Sequence, residues 1–146
     1  MTFGFRVDRA TSAAPERVYD ILSDMAAFRA WAPLVRYSEW IKRGTPDPSG
    51  AGAIRRLGMS KGVSVDEEIV EAQPPYYQRY VGVRGFPVSH YGGEIHLSRV
   101  DAGSQFVWTV NFEQTIPCTG WPLQIIIRAV ITYLVNHAIR EAEESA

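Results

Sequence analysis

The sequence predicts an α+β domain, a curved antiparallel sheet of about seven strands with one long C-terminal helix on its concave face. Three observations predict it. Period-2 runs of apolar residues fill the middle of the chain, clusters of turn formers separate those runs, and helical spacing takes over after Pro122. The 146 residues suffice for one domain, 1–146, with no internal repeat and no linker.

The first strand is read from Phe3, Phe5 and Val7, which alternate with Gly4, Arg6 and Asp8 and so put one face on a core. Pro15 and Glu16 then suit a helix start, the proline because its missing N–H is not needed there and the acid because it meets the positive end of the helix dipole. Val18, Ile21, Leu22, Met25 and Phe28 follow at three- and four-residue steps, predicting one or two short helices that Pro33 stops. A strand over 34–43 runs into a turn-rich excursion at 44–50, and further strands are expected at 53–58, 62–72 and 76–84. The segment 88–100, the turn Asp101–Ser104 and the segment 105–114 complete the meander. Leu123, Ile126, Ile127, Val130, Ile131, Leu134 and Ala138 then predict an amphipathic helix with a solvated, acidic tail.

Composition excludes several classes of function. Hydrophobic residues make up 46% and charged residues 21%, which rules out a disordered tail or a collagen-like array. The formal net charge is -1, so no excess of positive charge points to a nucleic acid partner. One cysteine, Cys118, and three scattered histidines, His90, His96 and His137, give no metal-ligand spacing, and no metal or cofactor is expected. Cys118 has no adjacent basic residue to lower its pKa and reads as inert. The Gly50-x-Gly52 pair lacks a following phosphate-binding helix, which argues against a nucleotide site. The N-terminus lacks the charged and apolar regions of a signal peptide. Gln124, Arg128 and Thr132 interrupt the apolar stretch 122–135 before the roughly 20 residues a membrane span needs. A cytoplasmic protein without integral membrane association, monomeric or homodimeric, is the expectation.

Several local motifs also resemble those of a known family: Ala10-Thr-Ser-Ala-Ala-Pro-Glu-Arg-Val-Tyr-Asp-Ile-Leu-Ser-Asp24, Trp31-Ala-Pro-Leu-Val35, Glu67-Glu-Ile-Val-Glu-Ala-Gln-Pro-Pro75, and Gly93-Glu-Ile-His-Leu97 with Gly103 and Trp108-Thr-Val-Asn-Phe112. Together they are similar to the polyketide cyclase/dehydrase and lipid-transport group of the START-like (SRPBCC) superfamily, which includes the major birch-pollen allergen. The likeness covers nearly the whole chain, and its motifs mark fold rather than chemistry. It implies a helix-grip fold enclosing a mostly apolar cavity for a lipid, sterol, polyketide or similar small hydrophobic molecule.

Strand alternation nominates the side chains that face such a space. Phe106, Trp108, Val110 and Phe112 form one inward set, and Tyr91, Gly93, Ile95 and Leu97 another, leaving Glu94 and His96 in solvent. The Gly92-Gly93 pair invites a bulge that leaves the parity of His90 open. On the strand around Ile69, Val63, Val65 and Glu67 point inward while Asp66, Glu68 and Val70 point out. A carboxylate facing an apolar space costs several kcal/mol unless it is paired or protonated, and Arg55 on the neighbouring hairpin is the natural partner for Glu67. The two are either functional, a structural ion pair near a sheet edge, or both solvated. Glu67, Arg55 and His90 are therefore the catalytic candidates, and Tyr91, Trp108, Phe112, Tyr133 and Val130 the candidates for contact with a ligand. Plain core filling competes with that role for Trp108 and Phe112. The segment Gly82–Val88 is either a hairpin turn or a gate with Phe86 as its plug.

Three readings remain open: an interaction domain whose cavity is vestigial, and two functions of different class. One is a binding module for a small hydrophobic ligand. The other is a cofactor-independent cyclase or dehydratase that moves a proton in a water-poor cavity.

Overall fold

A computed structural model describes residues 2–60 and 62–144; Lys61, within the turn expected between two strands, lies outside them. The chain forms β1 (Thr2–Thr11), α1 (Pro15–Ser23), α2 (Phe28–Trp31), β2 (Tyr37–Lys42), β3 (Ile54–Gly58), β4 (Ser64–Gln73), β5 (Tyr77–Arg84), β6 (Val88–Val100), β7 (Gly103–Gln114) and α3 (Gly120–Glu144). The strands make one curved antiparallel sheet in the order β1-β7-β6-β5-β4-β3-β2. Strands β2 to β7 follow each other as a meander, while β1 closes the sheet against β7, with Phe5 opposite Val110 and Val7 opposite Trp108.

The alternation anticipated from sequence is realised in burial. Phe3, Phe5 and Val7 of β1, Ile95 and Leu97 of β6, and Phe106, Trp108, Val110 and Phe112 of β7 all face one core. Pro15 stands at the start of α1 with Glu16 in its first turn, and the apolar stripe Val18, Ile21, Leu22 is buried. Arg99 of β6 donates to Glu16 at 2.8 Å, tying α1 to the sheet.

Two expectations need correction. Val63 does not point into the core but precedes β4 and is exposed, because the ladder opposite Gly58 begins only at Ser64. On α3, Ile126 and Val130 are also outside the core, which instead receives Ile131, Leu134, Val135, Ala138 and Ala142. The first half of α3 carries apolar residues on opposite sides, so spacing alone could not say which side is buried. α3 packs against β1 and α1. Gln124 accepts a hydrogen bond from the Gly4 amide at 3.0 Å, and Gly120 lies against the Phe3 ring.

Candidate functional site

The central strands place a polar chain inside this core. Arg55 and Glu67 are register partners on β3 and β4, so both side chains leave the same face of the sheet. They are 3% and 6% exposed, and Arg55 Nε donates to Glu67 Oε1 at 2.8 Å. A second Arg55 nitrogen donates to Gln78 Oε1 at 3.3 Å, and Gln78 on β5 is itself buried. The amide of Gln78 extends the chain to the Tyr19 hydroxyl of α1. The guanidinium also lies 4.8 Å from the centre of the Tyr80 ring, a cation–π contact in a desolvated setting.

From Tyr80 the network turns toward β6 and β7. Trp108 Nε1 donates to the Tyr80 hydroxyl at 2.9 Å, and the Tyr80 and Tyr91 hydroxyls share a hydrogen bond. Gly93 sits directly opposite Tyr80, where an added Cβ would stand 2.4 Å from the phenol oxygen. The missing side chain is what lets the phenol cross the sheet face. Gly82 does the same for the next layer: a Cβ there would meet the Phe86 ring at 2.7 Å and Tyr91 at 3.1 Å. Phe86 stacks on Tyr91 with ring centres 4.1 Å apart, so this residue of the β5–β6 turn packs into the core rim.

Burial controls the protonation of these groups. It pushes the Glu67 carboxyl above the ordinary carboxylate value, an effect that the charge and hydrogen bond of Arg55 partly reverse. Burial also holds the hydroxyls of Tyr80 and Tyr91 protonated, raised further by the nearby Glu67 charge. The site therefore offers a guanidinium, two neutral phenols and a carboxylate whose charged form burial disfavours.

Other candidates lie elsewhere. His90 occupies a bulge between Ser89 and Gly92 with φ 53°, and its side chain, 79% exposed, bonds Glu113 at 2.5 Å on the outer face. The structure does not bring it to Arg55 and Glu67. Phe112 is buried beside Phe3, with stacked rings 5.7 Å apart. Tyr133 is half-buried on α3, where its hydroxyl accepts from the Leu34 amide at 3.0 Å, and Val130 is exposed one turn earlier. Gln78 and Tyr80 escaped the sequence reading because the strand after Pro74-Pro75 offered no independent parity. The glycine opposite Tyr80 was the available clue.

A crevice lined by Tyr19, Leu22, Ser23, Gln78 and Ile95 is too narrow for a water molecule. A cleft of about 130 Å³ lies among Arg17, Asp20, Asp24, Trp31 and Glu141, between α1, α2 and the end of α3. The inward aromatic side chains occupy the centre of the grip.

Comparison with known proteins adds the following. The model of the family described as "Polyketide cyclase / dehydrase and lipid transport" matches residues 2–142. Proteins of Mycobacterium tuberculosis and Mycobacterium bovis, described as uncharacterized, are 22% identical over 138 residues, which is 93% of this chain and 80% of theirs. Among solved structures, the Zhui aromatase/cyclase from a Streptomyces species superposes with a TM-score of 0.80 at 18% identity, covering 98% of this chain and 94% of that one. A START superfamily protein from Mycobacterium smegmatis gives 0.78 at 12% identity over 99% of both chains. The protein Ara h 8.0201 gives 0.76 at 14% over the full length of both. At these identities the structural likeness establishes the fold.

Proposed function

The chain belongs to the polyketide cyclase/dehydrase and lipid transport family, and from that premise we propose that it binds a small hydrophobic molecule carrying a carbonyl or hydroxyl group, between the sheet and α3. The observation that supports this reading is the Arg55–Glu67 pair. Two buried charges cost several kcal/mol of desolvation, and an apolar pair of similar volume commonly serves a fold as well or better. Their placement at the centre of an aromatic interior makes sense as a polar handle. Arg55 and the phenols of Tyr80 and Tyr91 would meet an oxygen of the ligand, while Trp108, Phe112 and Tyr91 would line its apolar body.

Because the aromatic side chains fill the interior, a ligand enters by displacing them. Phe86, on the short β5–β6 turn and stacked on Tyr91 of β6, is the part that can swing outward with little disruption of the ladders. A titration with fatty acids and with aromatic polyketides, followed by tryptophan emission and native mass spectrometry, tests the proposal. The expected result is one-to-one binding that Arg55→Met weakens for oxygen-bearing ligands and leaves unchanged for pure hydrocarbons. Absence of any complex, or equal loss for both ligand types, would refute it.

The raised Glu67 carboxyl favours a second reading, cofactor-free proton transfer of the cyclase or dehydratase kind. Glu67 would accept a proton next to a carbonyl while Arg55 and Tyr80 bear the developing oxyanion. Glu67→Gln keeps an acceptor for Arg55 Nε and removes the base. Turnover of a linear polyketide should then fall by about 10²–10⁴; full activity in that variant would discard the enzymatic role.

A further inference from the structure

We propose that one end of this molecule docks on an anionic lipid bilayer, a surface distinct from the interior site and independent of the ligand reading. Strand register fixes what that end contains. Tyr37 pairs with Gly58, Gly58 with Ser64, Asp66 with Arg84, Val88 with Gln114 and Thr2 with Glu113. The α2–β2 connection, the β3–β4, β5–β6 and β7–α3 loops and the N-terminus of α3 therefore gather at the same end of the sheet.

Exposed apolar side chains concentrate there. Leu34, Val63, Trp121, Ile125, Ile126 and Val130 are between 50% and 66% exposed, each on a loop of this end or on the first half of α3. On α3, Ile126 and Val130 are one turn apart on the side away from the buried Ile131, Leu134 and Ala138. None of residues 121–130 of α3 is buried, although Trp121, Leu123, Ile125, Ile126, Ile127 and Val130 are apolar. The helix carries far more apolar surface than the sheet covers, at the density that marks membrane or protein interfaces.

Charge selects the bilayer. Segments 25–38, 57–65, 85–93 and 114–140 contain none of the sixteen Asp and Glu residues, but they include Arg29, Arg36 and Arg128. Three acids at the rim are already engaged, Asp66 by Arg56 and Arg84, Glu113 by His90, and Glu39 by the Tyr37 hydroxyl. Acids collect at the opposite end, in Asp47, Asp101, Glu143 and Glu144. A second copy on the same face would set Arg36 and Arg128 near their own equivalents, whereas anionic headgroups complement them and the acyl boundary takes the isoleucines and Trp121.

The experiment is co-sedimentation of the whole protein with phosphatidylcholine vesicles, with and without phosphatidylglycerol, read together with tryptophan emission. The protein should pellet with the anionic vesicles, shift its emission to the blue as Trp121 leaves water, and be released by salt. Ile125→Asp/Ile126→Asp should lower the partition at least about tenfold, Arg36→Glu/Arg128→Glu should do so for anionic vesicles, and Val100→Asp at the opposite end should change nothing. No binding to either vesicle, equal binding to both, or equal losses in all three variants would overturn the proposal. So would a dimer in sedimentation velocity that Ile126→Asp dissociates while vesicle binding is absent.

Discussion

Arg55–Glu67 and Arg56–Asp66 are two arginine–carboxylate pairs one residue apart on the same two strands. Alternation sends the first pair into the core and the second to the outer face, where Asp66 accepts from Arg56 at 2.7 Å and from Arg84 at 2.9 Å. The two carboxyls respond in opposite directions. Hydrogen bonds from Arg56, reinforced by Arg84, hold Asp66 down to about 2, against an ordinary value of 3.8, while burial lifts Glu67. The same chemistry stabilises on one face and costs on the other, because only the outer arginines keep contact with water. The costly pair lies on the inner face of β3 and β4 and the inexpensive one on the outer face of the same strands.

The inner pair should give the largest effect. Arg55→Met leaves Glu67 buried without a partner and should cost about 3–5 kcal/mol in denaturant unfolding, with much of it restored by Arg55→Met/Glu67→Leu. A loss below about 1 kcal/mol would mean that the pair is hydrated and the contrast false. Next comes Asp66→Asn, which should lose about 2 kcal/mol near neutral pH. The sign follows from the depressed pKa: the stabilisation is complete above about pH 4 and disappears as pH falls toward 2, so variant and parent should converge in acid. Glu67 works the other way, since its ionisation is the costly state and acid relieves it. Trp108→Phe, which removes the donor to Tyr80 from an otherwise aromatic position, should cost about 1 kcal/mol by the same measurement. Glu71→Gln, at a pair 3.8 Å apart and nearly half exposed on both sides, should change stability by no more than about 0.5 kcal/mol.

How far the sequence revealed this contrast depends on the local pattern. Glu67 and Arg55 were legible because counting back two residues from the buried Ile69 puts Glu67 on its face, and Arg55 falls opposite by hairpin counting, although the pairing of β4 with β5 shifts register beside both Glu67 and Ile69. Asp66 was rightly placed on the outer face, but not as a buried group, because Arg56 and Arg84, its register partners on the two neighbouring strands, close over it, and the strand carrying Arg84 offered no parity in the sequence. His90 was ambiguous for a physical reason now visible: the bulge at Ser89–Gly92 and its left-handed backbone turn the ring outward. The long helix was legible from its period, though its exposed apolar side was not, since both sides of its first half are greasy and only the sheet decides which is covered.

The position of β1 has a consequence for how the chain is made. Its partner, β7, is translated about a hundred residues later, so β1 leaves the ribosome well before its neighbour exists. Until then Phe3, Phe5 and Val7 have no sheet to join, and once β7 arrives its Trp108 edge stays open to any competing strand until β1 docks. Loss of residues 2–11 would make that open edge permanent and turn the sheet into a template for aggregation.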